Sequence, residues 1–377
     1  MKRDDYRYMI ALSCISGIGA RRAKALISAF GGSAEEVLRA NKKELSEVEG
    51  IGTTIADIIL SGKSQALARA DKEIEFIDRY KIDLLAYTDS EYSNMLRQCD
   101  DGPIILYTRG TSDMNVPKVL SIVGTREPTD YGRELCDRLV GELAQRHPGT
   151  LIVSGLAYGI DITAHRSAIR NGLQTAAVLA HGLDRIYPPQ HRNTAAQIAN
   201  GSGGLVTEFL SGTRPEASNF KSRNRIIAGL AQGILVVESG TKGGSLITAH
   251  FGNEYDRDVM AIPGSLYADK SRGCNSLIKC NMAHLVETVE DIEKVLGWTP
   301  HDAQKKKKPE QGSLFVNIEN EIDRKIYDAL QAEGSLTSSL LSQRCGVPIS
   351  DISSHLFELE LNGVVKSLPG NSYKLAR

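Results

Sequence analysis

Residues 219–229 read Asn-Phe-Lys-Ser-Arg-Asn-Arg-Ile-Ile-Ala-Gly. Lys221, Arg223 and Arg225 crowd around Asn224, and Phe220 stands beside them. Cations at this density neutralise phosphates, and a flat ring next to them offers a face on which a base stacks. The element that must position them is a helix. Ile226, Ile227, Leu230 and Ala231 recur at helical spacing and face a core. Ser222 or Asn224 is predicted to cap its start. Arg223 and Arg225 then sit at the positive end of the helix dipole, where cations are disfavoured. A negative group must compensate. It is either a protein carboxylate, Glu208 or Glu238, or a phosphate held by the free N–H groups of the helix start.

Around this stretch, residues 73–298 alternate strand and helix patterns. Apolar runs rich in β-branched residues fall at 82–86, 104–107, 119–123, 151–153, 176–180, 205–207, 234–237, 258–262 and 284–286. Helical patterns at 133–144, 160–169, 191–200, 222–232 and 245–255 separate most of them. Such alternation predicts an α/β, doubly wound, mostly parallel sheet, which binds ligands beyond the carboxyl ends of its strands. The turns at that edge bring glycines. They include Gly124-Thr125-Arg126, the segment from Ser154 and Gly155 to Asp161, His181-Gly182-Leu183-Asp184, and Ser239 to Ser245 with Lys242, Gly243 and Gly244. Bare backbone N–H groups on converging turns hold an anion, so a phosphate-binding surface is expected. Asp161 and His165 lie four apart on one helical face. They suit either acid–base chemistry or a helix cap beside a packed imidazole.

Several function classes are excluded or disfavoured. No GxGxxG with a later acidic residue supports a dinucleotide cofactor, and none is expected. Gly62-Lys63-Ser64 resembles the end of a Walker A loop, but position 57 is Asp57 instead of glycine. The 377 residues carry a net charge of −1, so any basic surface is local. No run of about 18 apolar residues predicts a membrane span, and the first residues lack the apolar core of a signal peptide. The six cysteines form no CxxC pair. Reduced thiols, no metal site and a cytoplasmic location are expected.

Flanking segments add modules. Gly17-Ile18-Gly19, followed by Arg21 and Arg22, recurs as Gly50-Ile51-Gly52, followed by Thr53 and Thr54, and the repeat resembles a tandem helix-hairpin-helix over residues 1–72. Its glycine N–H groups suit either a DNA phosphate or a spacer and protein-binding role. Residues 299–316 form a charged linker with four lysines from Lys305 to Lys308. The linker runs into Gln311-Gly312-Ser313-Leu314-Phe315, which resembles the motif that docks bacterial proteins on the sliding clamp. The alternative is that Leu314 and Phe315 staple the next helix. Residues 317–377 read helix, helix, helix, hairpin and resemble a winged helix. Ser350, Ser353, Ser354 and His355 form its outward recognition face. That face holds no arginine or lysine, so a protein partner suits it as well as DNA.

The central segment resembles the DNA-processing protein A (DprA, or Smf) family. The matching pieces are Gly124-Thr125-Arg126, Ser154-Gly155-Leu156-Ala157-Tyr158-Gly159-Ile160-Asp161, Gly182-Leu183-Asp184, Arg223-Asn224-Arg225-Ile226-Ile227-Ala228-Gly229, Gly244-Ser245-Leu246-Ile247-Thr248-Ala249 and Asn275-Ser276-Leu277-Ile278. The resemblance implies an extended Rossmann-like domain that binds single-stranded DNA as a homodimer. It also implies delivery of that DNA to RecA in natural transformation or related recombination. DNA contacts then fall on Arg126, Arg223 and Arg225, with a base on Phe220. The family often has proline where this chain has Lys221. A distant group of ribose-phosphate-removing enzymes shares the fold and supplies the alternative reading. Its catalytic glutamate has no counterpart in the turn at residues 239–250.

Overall fold

A computed structural model of the chain describes residues 3–111, 113–300, 320–362, 364–368 and 371–375. It divides the chain into two units, Met1–Gln304 and Lys305–Arg377. In the first unit the apolar runs become β1 (Asp83–Ala86), β2 (Ile105–Gly110), β3 (Val119–Val123), β4 (Leu151–Ser154), β5 (Gln174–Val178), β6 (Gly204–Thr207), β7 (Gly233–Val236), β8 (Asp258–Ala261) and β9 (His284–Leu285). They form one sheet in the order β1-β2-β6-β5-β4-β3-β7-β8-β9. The pairs from β6 to β9 are parallel, whereas β1–β2 and β2–β6 are antiparallel.

Strand alternation explains how both faces are covered. Val123, Val153, Val178 and Val236 point to one face. Ile122, Ile152 and Leu235 point to the other. On the first face pack α10 (Ala217–Leu230), through Ile226, Ile227 and Leu230, and α11 (Gly244–Glu254), through Ala249. On the second pack α7 (Asp130–Arg146), α8 (Ile160–Arg170) and α13 (Val289–Leu296). The short α6 (Asn94–Arg97) and α12 (Arg272–Lys279) join the first face through Leu96, Cys274 and Leu277, and α9 (Arg192–Asn200) packs through Ala195 and Ile198 in a separate cluster. The chain leaves β3 toward β4 on one side and returns to β7 on the other. The β3–β7 boundary is therefore the switch point at which open α/β sheets bind ligands.

The N-terminal helices are α1 (Arg3–Cys14), α2 (Ala20–Ala29), α3 (Ala34–Arg39), α4 (Lys42–Ser46) and α5 (Thr53–Tyr80). Gly17 and Gly50 turn the two hairpins at φ +84° and +76°, a backbone region that favours glycine. The helical segment shares one apolar core with the sheet, through Ile82, Ala86, Ile105 and Tyr107. The expected boundary at residue 72 falls inside α5, which runs on to Tyr80. Buried Glu73 on this helix pairs with Arg69 at 2.8 Å and accepts the Ser211 N–H at 2.9 Å and the Ser211 hydroxyl at 2.6 Å.

The second unit holds α14 (Glu321–Glu333), β10 (Ser335–Thr337), α15 (Ser338–Cys345), α16 (Ile349–Leu361), β11 (Val365–Leu368) and β12 (Ser372–Leu375). Its sheet order is β10-β12-β11. Sequence reading finds the three helices and the hairpin and misses β10, three residues with a single apolar side chain. The core is Ile326, Leu330, Leu341, Ile352, Leu356 and Val365. The expected outward face holds for Ser350, Ser353 and Ser354, which are exposed. It needs correction at His355, whose Nδ1 lies 2.8 Å from Asp323 on α14. The proposed clamp motif, Gln311, Leu314 and Phe315, and most of the linker lie outside the described residues.

Candidate nucleic-acid interface

A cleft of about 660 Å³ opens at the switch point. Gly124 and Arg126 line it from the turn after β3, and Lys242, Gly243 and Gly244 from the turn after β7. Phe220, Lys221, Arg223 and Asn224 enter from α10. Arg126, Lys221 and Lys242 are exposed, and among the described residues none of them forms an ion pair. Two helices also begin here. α10 starts after Glu216 and α11 after Gly243, neither with a side-chain cap nor with an acidic residue in its first turn. Ala217 and Gly244, their first residues, both line the cleft. Their free N–H groups and positive dipole ends favour an anion.

The start of α10 corrects one expectation. The helix begins at Ala217, so Ser222 and Asn224 are interior residues and cap nothing. Arg223 and Arg225 are mid-helix, and the dipole argument does not apply to them. Each is instead fixed by the fold. Arg223 is 3% exposed. Its Nη1 donates to the Gly155 carbonyl at 2.6 Å and also to the Val178 carbonyl. A Cβ on residue 155 would occupy the space of the guanidinium, which is why glycine stands there. Arg225 pairs with Glu208 and donates to the Asp101 carbonyl at 2.5 Å. The compensating carboxylate is thus Glu208. Glu238 serves elsewhere and accepts the Thr129 N–H at 2.9 Å and its hydroxyl at 2.6 Å.

Of the other expected site residues, Ser154 and Gly155 do not line the cleft. The Ser154 hydroxyl is buried and donates to the Ile122 carbonyl at 2.6 Å. In the first hairpin, Arg22 donates back to the Gly17 carbonyl at 2.8 Å, while Arg21 is exposed. Gly19 lines a separate cleft of about 340 Å³, shared with Glu208, Ser222 and Arg225 of the sheet region.

Phe220 sits in cationic and aromatic company. The Arg126 guanidinium lies 5.2 Å from its centroid, Arg223 5.8 Å, and the Tyr187 ring 5.8 Å. Tyr187 also lines the cleft, where sequence reading placed no aromatic partner for Phe220. The burial of Arg223 was also missed, although a signal existed. Arg223 precedes Ile226, Ile227 and Leu230 by three, four and seven positions, which places it on their face.

The polar pair of Asp161, which lines the floor of the cleft, and His165 is held by the fold. Asp161 accepts the Gly155 N–H at 3.2 Å. Burial raises its pKa, opposed by the charge of Arg223. His165 is buried beside Thr175, whose hydroxyl donates to the Ile152 carbonyl at 2.8 Å. That leaves the hydroxyl oxygen to accept from Nδ1 of His165 at 2.7 Å. Burial, helped by the Arg223 charge, holds the imidazole down to about 3 and therefore neutral. Burial also lowers the Arg223 pKa to about 10, which leaves the guanidinium charged near pH 7. Among the described residues no cluster of three His, Cys, Asp or Glu is placed to hold a metal ion, and no helix is long and apolar enough to cross a membrane.

The sheet order, with a cleft at its switch point, defines an extended Rossmann-like α/β protein. A family model described as DNA recombination-mediator protein A matches residues 83–297. The chain belongs to that family. A SAM-like helix-hairpin-helix tandem matches residues 9–73, and a winged helix-turn-helix DNA-binding model matches residues 319–366. Protein Smf of Synechocystis is 32% identical over 99% of this chain and 100% of its own length. DNA processing protein A of Streptococcus pneumoniae has a crystal structure that superposes with a TM-score of 0.65 at 30% identity, over 78% of this chain and 98% of that one. DNA processing protein A of Helicobacter pylori, studied for its single-stranded DNA binding mode, gives a TM-score of 0.52 at 26% identity, over 57% of this chain and 95% of that one.

Proposed function

We propose that this chain binds single-stranded DNA in the switch-point cleft. The reading goes on to a cytoplasmic recombination mediator that protects incoming DNA and passes it to RecA, in natural transformation or related recombination. The observation that carries the binding step is the meeting of three unpaired cations, two uncapped helix starts and the Tyr187–Phe220 pair in one cleft. Phosphates pass Arg126, Lys221, Lys242 and the helix starts, and a base stacks at Phe220. Arg223 and Arg225 set the shape of the site from behind. Family membership and the single-stranded DNA binding of the Helicobacter pylori relative support the same ligand. A homodimer is part of the proposal, and β9 leaves a free sheet edge with His284 and Leu285 exposed. Docking of residues 311–315 on a sliding clamp rests on sequence resemblance.

Nucleotide hydrolysis in the same cleft is the competing class. Asp161 spends its carboxylate on backbone N–H, and His165 is held neutral, so neither supports that reading. Titration of labelled oligo(dT) at several salt concentrations tests the proposal. Each phosphate contact contributes about −0.7 to the log–log salt slope. Arg126→Ala should make the slope shallower by about 0.7, which is about a 2.6-fold smaller loss of affinity between roughly 50 and 200 mM salt. Salt-insensitive binding, or none, would sink the DNA reading. Release of free base from a nucleotide would move the assignment to the enzyme class.

A further inference from the structure

A second cleft, of about 350 Å³, lies outside the site described above. Its volume is within the range of roughly 300–1,000 Å³ usual for ligand pockets. One wall is a face of α9, where Arg192 is followed at helical spacing by Ala195, Ala196 and Ala199. The small alanines leave a trough there. The opposite wall carries Arg109 of β2, which pairs in register with Leu205 of β6. The loop after β5 closes one end with Leu183, Arg185 and Ile186. Arg109 and Arg192 are exposed, and among the described residues neither forms an ion pair. The single acid of the cleft, Asp184, is already occupied. Its Oδ2 accepts from Arg185 at 2.7 Å and its Oδ1 accepts the Gly212 N–H at 2.9 Å. Two guanidinium groups therefore face an apolar floor with no counter-charge, an arrangement that suits phosphates with bases attached.

Its position ties it to the first cleft. Arg185 and Ile186 line the second cleft, and the next residue, Tyr187, lines the first beside Phe220. One short loop is the wall between the two. We propose that the Arg109–Arg192 cleft is a second subsite for the same single strand, which crosses the Tyr187–Phe220 pair and continues onto Arg185, Arg109 and Arg192. The inference rests on the single-stranded DNA reading of the first cleft. Continuity favours the strand over the other polyanion that fits this chemistry, an acidic peptide with an apolar end.

The test compares wild type with Arg109→Ala/Arg192→Ala on oligo(dT) of about five and about twenty nucleotides, lengths that bracket a short and a long footprint. The short oligonucleotide fills the first cleft alone and should bind both proteins equally. On the long one, the double variant should lose about 1.4 from the salt slope, two contacts of about 0.7 each, or about a sevenfold difference between roughly 50 and 200 mM salt. Arg109→Lys/Arg192→Lys should restore most of it. Equal slopes for wild type and double variant on the long oligonucleotide would overturn the subsite. So would loss of binding to an acidic peptide with a terminal aromatic residue while DNA binding is unchanged. If wild type binds neither length, the reading of the first cleft fails instead, and Arg126→Ala on the short oligonucleotide separates that outcome from failure of the second subsite alone. Both arginines are exposed, so thermal melting of the variants should match wild type.

Discussion

Replacing Arg223 with alanine should unfold the site instead of trimming one DNA contact. The guanidinium is buried and donates to the Gly155 and Val178 carbonyls. It also supplies the charge that opposes the burial penalty of Asp161. Removing it strands two carbonyls, each costing about 1–3 kcal/mol when buried without a donor. It also removes the positive charge that opposes the burial of Asp161. A net loss of about 2–6 kcal/mol, from two stranded carbonyls at about 1–3 kcal/mol each, is expected, read as a fall in the urea midpoint. The DNA salt slope of the fraction that stays folded should match wild type, because no phosphate contact is lost. Urea titration followed by oligo(dT) titration on the same protein measures both. If the midpoint hardly moves and the slope becomes shallower by about 0.7, Arg223 reaches phosphate and the reasoning from its burial fails.

Three further outcomes follow from named contacts. Phe220→Leu should weaken oligo(dT) binding by about 1–3 kcal/mol, the range for one base–aromatic stack, and leave the salt slope intact; a change in slope would mean that the ring acts by placing Arg126. His165, at about 3 when folded against an ordinary value near 6.5, stays neutral in the native state while the unfolded chain takes up a proton. The unfolded state binds more protons as pH falls below about 6.5, so stability should drop by about 2 kcal/mol from pH 7 to pH 5 on this account; in His165→Asn that part of the pH dependence should vanish in urea titrations at the two pH values. Glu73→Ala should cost about 1.5–3 kcal/mol, the range for hydrogen bonds to a charged group, by freeing α5 from Ser211. Hydrogen exchange at the Ser211 amide should then rise, and unchanged protection would show that α5 is held by its apolar face alone.

All nine strands of the large sheet were legible, the inner ones because both faces are covered and they read as apolar runs, the partly exposed edge strands β1 and β9 from shorter apolar stretches. Their order was not legible, since it depends on which loop crosses which face. The end of the N-terminal module, expected at residue 72, falls within a helix that runs on to Tyr80. α5 keeps its helical pattern through residue 72 and carries its apolar face straight into the core of the sheet region. Of the four glycine turns expected to converge, those after β3 and β7 bring Gly124, Gly243 and Gly244 to the cleft, whereas Gly155 and Gly182 lie outside its lining. Tyr187 and the Arg109–Arg192 cleft were not found, because their residues come from separate elements that only the fold brings together.

The cations of α10 show why composition identified the element and misassigned its parts. Lys221, Arg223 and Arg225 are two residues apart, which on a helix is about 200°. Successive members must therefore point different ways. Lys221 faces the open cleft, Arg223 goes inward to the ends of β4 and β5, and Arg225 turns to Glu208. At Lys221 the sequence reading expects proline from the family resemblance. In a helix that starts at Ala217, residue 221 gives its N–H to the Ala217 carbonyl, a bond that proline cannot make. Proline at 221 fits best as the first residue of a later-starting helix. Lysine there allows the extra turn from Ala217 to Phe220, and that turn carries the positive end of the dipole to the cleft and fixes Phe220 against Tyr187 and Arg126. Lysine at 221 thus places a charge at the cleft where phosphates are proposed to pass, and it is compatible with the longer helix that presents the ring.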